Sequence, residues 1–262
     1  MSAKQAGNAP LDLVVLSGWG SDPSIFDGFL SRWSSSFRIT KIDYQSVPLP
    51  SGNESIKDLK LHLIDALLEQ VPQKAILLGW SLGGLVASWI ADRLQAKALI
   101  TLGWNPCFVQ KVGWHPAMPQ DVFQVFSSDF KANVRQMQMR FIALQSQGSV
   151  QASKERKALL ANRKDYLDAQ ALEQSLQYLG LLASDARSEL VQLNCPSLLL
   201  YSEHDALVPL EIMSEVSPLN LQSTVGLIEG SAHLPFISEP EQVNRYLYDF
   251  LRQQNLVAEE DV

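Results

Sequence analysis

The sequence predicts an α/β fold: a mostly parallel sheet covered by helices on both faces, with a helical cap inserted after one of its strands. Three observations predict it. Short apolar runs alternate with amphipathic helical spacings along the first part of the chain, the pattern of parallel strands joined by covering helices. One of those runs, Ala75-Ile76-Leu77-Leu78, breaks at Gly79-Trp80-Ser81-Leu82-Gly83 and passes into a helical segment with small residues on its early turns. Between about Cys107 and Glu189 helical periodicity prevails with no clear strand, and the sheet pattern resumes at Pro196. The chain is therefore expected to divide into a first part of the core at 1–108, a helical cap at 109–189 and a second part of the core at 190–262.

Each element follows from local pattern. Leu11 to Leu16 is an apolar run read as the first strand, ending in the loop Ser17-Gly18-Trp19-Gly20. Glycines at the carboxyl end of a strand let backbone approach a ligand closely, the usual place for a site in an open α/β sheet. Ile25 to Trp33 has helical spacing, Phe37 to Asp43 alternates as a strand, and Pro48, Pro50 and Gly52 mark a loop. Glu54 to Gln70 sets Ile56, Leu59, Leu63, Leu67 and Leu68 on one helical face. Lys97 to Gly103 is the strand after the serine turn. Helices are then expected over Asp121–Gln147, Ser153–Arg163, Ala169–Leu182 and Asp185–Leu193. Strands follow at Pro196–Tyr201 and Ser223–Glu229, and a last helix, Glu239–Leu251, opens beside Pro240.

The G-x-S-x-G string carries the chemistry. A serine on a sharp strand-to-helix turn is held in a strained backbone conformation with its hydroxyl out of the sheet, so Gly79 and Gly83 must be small. It also sits over a helix N-terminus, where free N–H groups receive developing negative charge. A serine nucleophile requires a base and an acid that fixes the base's tautomer, in the chain order Ser, Asp or Glu, His for this kind of turn. Of the four histidines, His233 lies in the loop past the last strand and fits the base. Asp205 lies in the loop past the preceding strand. Glu203 competes with it, and Asp205 is favoured because it sits deeper, before the apolar Val208-Pro209 anchor. His62, on an amphipathic helix, and His204 are read as structural or surface residues; His115, beside Trp114 at the entry to the cap, is read as structural, with substrate contact as the alternative. Two oxyanion donors are expected, the backbone N–H of Leu82 and that of Trp19 in the first strand's loop.

Charge is uneven. The net charge is −7, yet Gln110 to Ser188 carries ten Lys/Arg against seven Asp/Glu, and Lys131 to Lys164 holds eight basic residues against Glu155 alone. An acidic protein with one basic segment points to a local footprint for an anionic partner. Nucleic acid is not that partner at this overall acidity and without a recognised module. No apolar run approaches the length of a membrane span, and Met1 to Pro10 lacks the apolar core of a signal peptide. Cys107 and Cys195 lack metal-ligand spacing and read as buried thiols in a reducing cytoplasm. Neither a metal nor a cofactor is implied.

Four strings go further. Gly79-Trp80-Ser81-Leu82-Gly83-Gly84-Leu85-Val86-Ala87-Ser88, Asn105-Pro106-Cys107-Phe108, Arg140-Phe141-Ile142-Ala143-Leu144-Gln145 and Ala232-His233-Leu234-Pro235-Phe236-Ile237-Ser238 resemble, within the α/β-hydrolases, the pimeloyl-acyl-carrier-protein methyl ester esterases of biotin synthesis. The resemblance implies the α/β-hydrolase fold and hydrolysis of the methyl ester that masks a growing pimeloyl chain. It places a triad at Ser81, Asp205 and His233, and oxyanion or substrate-lining positions at Trp19, Ser81-Leu82 and Phe141, Ile142, Ala143, Leu144 and Gln145. It also implies a cap that presents arginines, of which Arg140 is the counterpart here, to an acidic acyl-carrier protein; the enzyme is expected to be cytoplasmic and a monomer. Arg135, Lys154, Arg156 and Lys157 join Arg140 on charge alone. Two departures stand out: Ser17 replaces the histidine that usually precedes Gly-Trp-Gly, and the sequence begins almost directly at the first parallel strand. Two other functions are compatible with the residues: a general hydrolase of small esters, thioesters or a carbon–carbon bond, and a binding protein that keeps the fold without catalysis.

Overall fold

A computed structural model describes residues 10–33, 36–52 and 54–257. Of the stretch Met1 to Pro10, read above as lacking the apolar core of a signal peptide, only Pro10 is among the described residues. Six strands form one sheet: β1 (Leu11–Leu16), β2 (Phe37–Ile42), β3 (Ile76–Trp80), β4 (Ala98–Leu102), β5 (Ser197–Ser202) and β6 (Ser223–Ile228). Their spatial order is β2-β1-β3-β4-β5-β6, and every pairing is parallel, so the described sheet is wholly rather than mostly parallel. Registers such as Val14↔Leu77 and Trp80↔Leu102 bring strand ends level along one rim.

Helices α1 (Asp27–Leu30), α2 (Ile56–Leu68) and α3 (Leu82–Ile90) belong to the first part of the chain. Helices α4 (Gln120–Ala132), α5 (Val134–Gln145), α6 (Ala152–Ala161), α7 (Ala169–Gly180) and α8 (Arg187–Gln192) follow between β4 and β5. Helices α9 (Ile212–Val216), α10 (Pro235–Ser238) and α11 (Pro240–Gln253) complete the chain. The inner strands β1, β3, β4 and β5 are largely buried on both faces, the edge strands β2 and β6 only in part, and alternate residues serve two cores. Val14, Leu16 and Leu77 pack with Leu63, Leu67 and Val86 on one face. Leu13, Val15, Ile76 and Leu78 pack with Phe29, Leu247 and Phe250 on the other.

Two expected helices take a different form. Asp121–Gln147 is broken at Asn133 (φ −148°, ψ 71°), which ends α4 and opens α5. The break lets Phe126 and Phe130 of one helix and Phe141 of the next pack against the same Trp19 ring. Ile25–Trp33 is a 3₁₀ turn, Pro23–Phe26, followed by the single turn α1; Asp22 caps it by accepting from the Ser24 N–H, with Pro23 at its first position.

Candidate active site

The chain runs outward from β1 to β2 and then returns to place β3 on the other side of β1, so the strand order reverses between β1 and β3. Crevices at such reversals, beyond the carboxyl ends of the strands, hold ligands. Ser81 follows β3 at this point with φ +56° and ψ −123°, a region that costs a non-glycine residue about 1–3 kcal/mol. Its N–H donates to the Leu102 carbonyl (3.0 Å), which fixes the turn. The flanking glycines are there for space. A Cβ on Gly79 would lie 2.5 Å from Gly83 O, and one on Gly83 would lie 2.2 Å from Leu16 O.

His233 and Asp205 reach the same rim from the loops after β6 and β5. His233 Nδ1 and Asp205 Oδ2 are 2.7 Å apart, with both side chains wholly buried. Asp205 Oδ1 accepts from the N–H groups of Leu207 (2.8 Å) and Val208 (3.1 Å), so the carboxylate is held at both oxygens. Glu203 turns away and accepts from the Gly230 N–H (2.9 Å). With a carboxylate at Nδ1, that nitrogen carries the proton and Nε2 is left as the acceptor. Nε2 has no hydrogen-bond partner, Ser81 Oγ included.

Several supporting residues carry no local signal in the sequence. Trp80 Nε1 donates to the His233 carbonyl (2.7 Å) and its ring packs beside the imidazole at 5.6 Å between centroids. Gly103, at φ +53°, leaves room for the pair: a Cβ there would lie 3.1 Å from His233 Nδ1 and 3.2 Å from Asp205 Oδ2. The loop after β1 runs against Ser81, since a Cβ on Gly18 would lie 3.2 Å from Ser81 Cβ. Buried Gln45 braces that loop, donating to Gly18 O (3.0 Å) and Ser21 O (3.2 Å) and accepting from the Gly20 N–H (2.9 Å). Ser17, where a histidine is usual, donates to Ser21 O (2.8 Å). Leu82 is the first residue of α3, so its N–H has no acceptor within the helix.

Above Ser81 the inserted helices roof a pocket of about 540 Å³, its open mouth included. Its walls are Trp19, Phe108, Met118, Phe123, Phe126, Phe141, Leu144, Leu179, Leu182 and Leu207, and none is charged. Of the five consecutive residues Phe141 to Gln145, only Phe141 and Leu144 face this pocket, as their three-residue spacing on a helix requires. Ile142 and Gln145 line an adjoining cavity beneath Trp19, and the Gln145 carbonyl accepts the His233 N–H (3.0 Å). Ala143 points outward into a surface groove that it shares with Arg135, Met139 and Arg140. Lys154, Arg156 and Lys157 are exposed on α6, with Arg156 Nε donating to Ser146 Oγ (2.9 Å). Among the described residues, none of the five proposed cations is in an ion pair.

The remaining sequence candidates take structural places. His62 Nε2 meets Pro48 O (3.0 Å), and His115 is exposed. Both cysteines are free and buried, and burial pushes each thiol up to about 12. No cluster of three metal-ligating side chains and no helix long and apolar enough to cross a membrane occurs among the described residues.

The alpha/beta hydrolase family model matches residues 13–246, and the chain belongs to that family. Within it, the chain is 36% identical over 255 residues to the Pimeloyl-[acyl-carrier protein] methyl ester esterase of Aeromonas salmonicida, covering 92% of this chain and 95% of that protein. It is 32% identical over 257 residues to the protein of the same name from Yersinia enterocolitica, covering 95% and 96%. Among solved structures it resembles an esterase from Exiguobacterium antarcticum (TM-score 0.75, 18% identity, 93% and 92% covered). It also resembles MenH from S. aureus (TM-score 0.72, 18% identity, 96% and 97% covered). At these identities the structures show the fold.

Proposed function

We propose that this chain is a serine carboxylesterase that hydrolyses the methyl ester of a pimeloyl group carried on acyl-carrier protein. The observation that carries the catalytic part is the Asp205–His233 bond of 2.7 Å on the rim where Ser81 sits in its strained turn. The names of relatives at 36% and 32% identity support the substrate.

In the proposed reaction, His233 Nε2 takes the Ser81 proton as Oγ bonds to the ester carbonyl carbon. The carbonyl oxygen becomes an oxyanion held by the N–H groups of Leu82 and Trp19. Asp205 holds the imidazole and stabilises its charged form. The carbon–methoxy bond then breaks, His233 returns the proton, and methanol leaves. Water, deprotonated by the same nitrogen, attacks the acyl-enzyme and releases the carboxylate and free Ser81. The cap serves two ends of the substrate through one helix. Phe141 and Leu144 of α5 wall the apolar slot, while Arg135 and Arg140 of the same helix face outward. An apolar slot beside unpaired cations suits an acyl chain on a phosphopantetheine arm delivered by an acidic protein. The buried, unreactive thiols suit a cytoplasmic enzyme.

The test is hydrolysis of pimeloyl-carrier-protein methyl ester against a free short-chain ester, at low and high salt, with Ser81→Ala as control. Preference for the carrier-bound ester that weakens with salt and with Arg140→Glu is expected. Equal turnover of the free ester, indifferent to salt, leaves a general esterase and removes the carrier protein from the proposal.

A further inference from the structure

The Trp19 N–H, one of the two oxyanion donors proposed above, has no acceptor among the described residues. Such a donor stabilises developing charge only when it is preorganised at about 2.7–3.1 Å from it, so whatever holds its loop contributes to the rate. Gln45, from the loop after β2, is one such brace. A second grip comes from the inserted helices. Between α6 and α7, residues 162–164 run beside the Trp19 loop, with Ser21 and Arg163 as an antiparallel bridge pair. The Lys164 N–H donates to Gly20 O (2.8 Å), and the Asp22 N–H donates to Asn162 O (2.7 Å). The peptide groups on either side of Ser21 are thus both bonded to this strap. The Trp19 indole ends in the same layer, its Nε1 donating to Ser175 O of α7 (2.9 Å).

One side chain ties the strap back to α5. Gln138 Nε2 donates to the Lys164 carbonyl (2.9 Å). Lys164 is therefore held by Gln138 at its C=O while its N–H holds Gly20, and its ammonium is engaged with Asp43 (2.6 Å). Gln138 lies three residues before Phe141 on the same helix face and lines the cavity beneath Trp19 with it. It is not among the walls of the pocket above Ser81. α5 thus meets the Trp19 loop twice. Phe141 packs against the indole ring at 5.3 Å between centroids, and Gln138 reaches the Gly20 carbonyl through Lys164.

We propose that Gln138 is a positioning residue for the oxyanion donor: through the Lys164 peptide it fixes the Gly20 carbonyl and with it the neighbouring Trp19 N–H. The proposal rests on the Trp19 N–H acting as that donor. It gives the inserted helices a part in the chemical step besides roofing the pocket. A loop left free on that side would have to be ordered as charge develops, which is the reorganisation a preorganised donor avoids.

Gln138→Met keeps the length and helix propensity of the side chain and removes the donor. The assay is turnover of a small activated ester, p-nitrophenyl butyrate, which needs no carrier protein. KM should stay unchanged, because the pocket walls are untouched. The value of kcat should fall about three- to tenfold, a part of the roughly hundredfold or more that goes with loss of a whole oxyanion donor. The second readout is inhibition by an alkyl trifluoromethyl ketone. Ser81 Oγ bonds to its carbonyl carbon, the Ser81 proton passes to His233, and the carbonyl oxygen becomes an oxyanion. Its Ki should rise by the factor that kcat/KM falls. Gln138→Lys, whose ammonium can reach the same carbonyl, should restore both. Wild-type kcat and Ki in Gln138→Met overturn the proposal. So does a fall in kcat with Ki unmoved, or an equal loss in Gln138→Met and Gln138→Lys. Ser81→Ala run alongside separates the two readings. Activity surviving that change removes the site itself, whereas a dead Ser81→Ala beside a wild-type Gln138→Met removes only the role given to Gln138.

Discussion

Gly83→Ala tests the turn on which the site is built. The added Cβ would lie 2.2 Å from Leu16 O and 2.5 Å from Ser17 O, both backbone atoms. Ordinary van der Waals contact starts at 3.4 Å, so α3 and the end of β1 must separate by about 1 Å. Neither side yields freely. Leu16 is in register with Gly79 across β1 and β3, and the next residues form the loop of Gly18 and Trp19 beside Ser81. Overpacking of this kind costs about 2–3 kcal/mol. For a chain of this size that is a fall of about 4–12 °C in Tm. If Ser81 is the nucleophile proposed above, a displacement near 1 Å there also costs about a hundredfold in kcat. Thermal unfolding and the turnover of p-nitrophenyl butyrate read the two effects. Gly180→Ala is the control, because a Cβ there meets nothing within 4 Å and the residue is helical at φ −56°. It should be neutral or stabilising by about 0.5–1 kcal/mol. A Gly83→Ala protein with wild-type Tm and kcat would refute the close approach of strand and helix.

Other outcomes follow from the same contacts. Gln45→Leu should lower kcat about tenfold with little change in KM, because the bracing of the Gly18–Ser21 loop is lost while the pocket walls stay; a raised KM at constant kcat would contradict this. Trp80→Phe keeps an aromatic side chain but removes the indole N–H bonded to the His233 carbonyl and part of a wholly buried ring, and should cost about 2–4 kcal/mol in stability, measured by urea unfolding. Asp185 is held at about 2, first by its bond to the Arg187 guanidinium, below its ordinary 3.8. Its stabilising effect is therefore complete above 3.8 and is lost as pH falls toward 2. The Tm gap between wild type and Asp185→Asn should thus be present near neutral pH and narrow on acidification through that window; a gap that widens would reverse the assignment.

Much of this molecule is written in short stretches of sequence. Continuous apolar runs bounded by turns mark the inner strands β1, β3, β4 and β5, because a parallel strand buried on both faces must be apolar at nearly every position, whereas the edge strands β2 and β6 are partly exposed and mix polar with apolar residues. The serine turn is legible for a local reason too: a strained residue between strand and helix demands glycine at fixed offsets. Chain order then separates His233 from the other histidines, because the loops after successive parallel strands open on one rim. The choice between Asp205 and Glu203 is of another kind. They are two residues apart in one loop, and only the folded loop shows that Asp205 Oδ2 meets the imidazole while Glu203 binds Gly230.

The same division runs through the inserted helices. Their existence is visible as a change of periodicity, but the facing of α5 is not. Phe141 and Leu144 turn to the pocket and Ala143 to the outer groove, because the direction of a helix face is set by what packs against it. Gln45, Trp80 and Gly103 lie far in sequence from the groups they brace or make room for. What the sequence by itself determined is therefore the strands, the serine turn and the placing of Asp205 and His233 in successive loops after strands, all properties of short windows. The tertiary structure alone decided which oxygen holds the imidazole, which residues wall the pocket and which buried groups brace it, because those contacts join residues that only folding brings together.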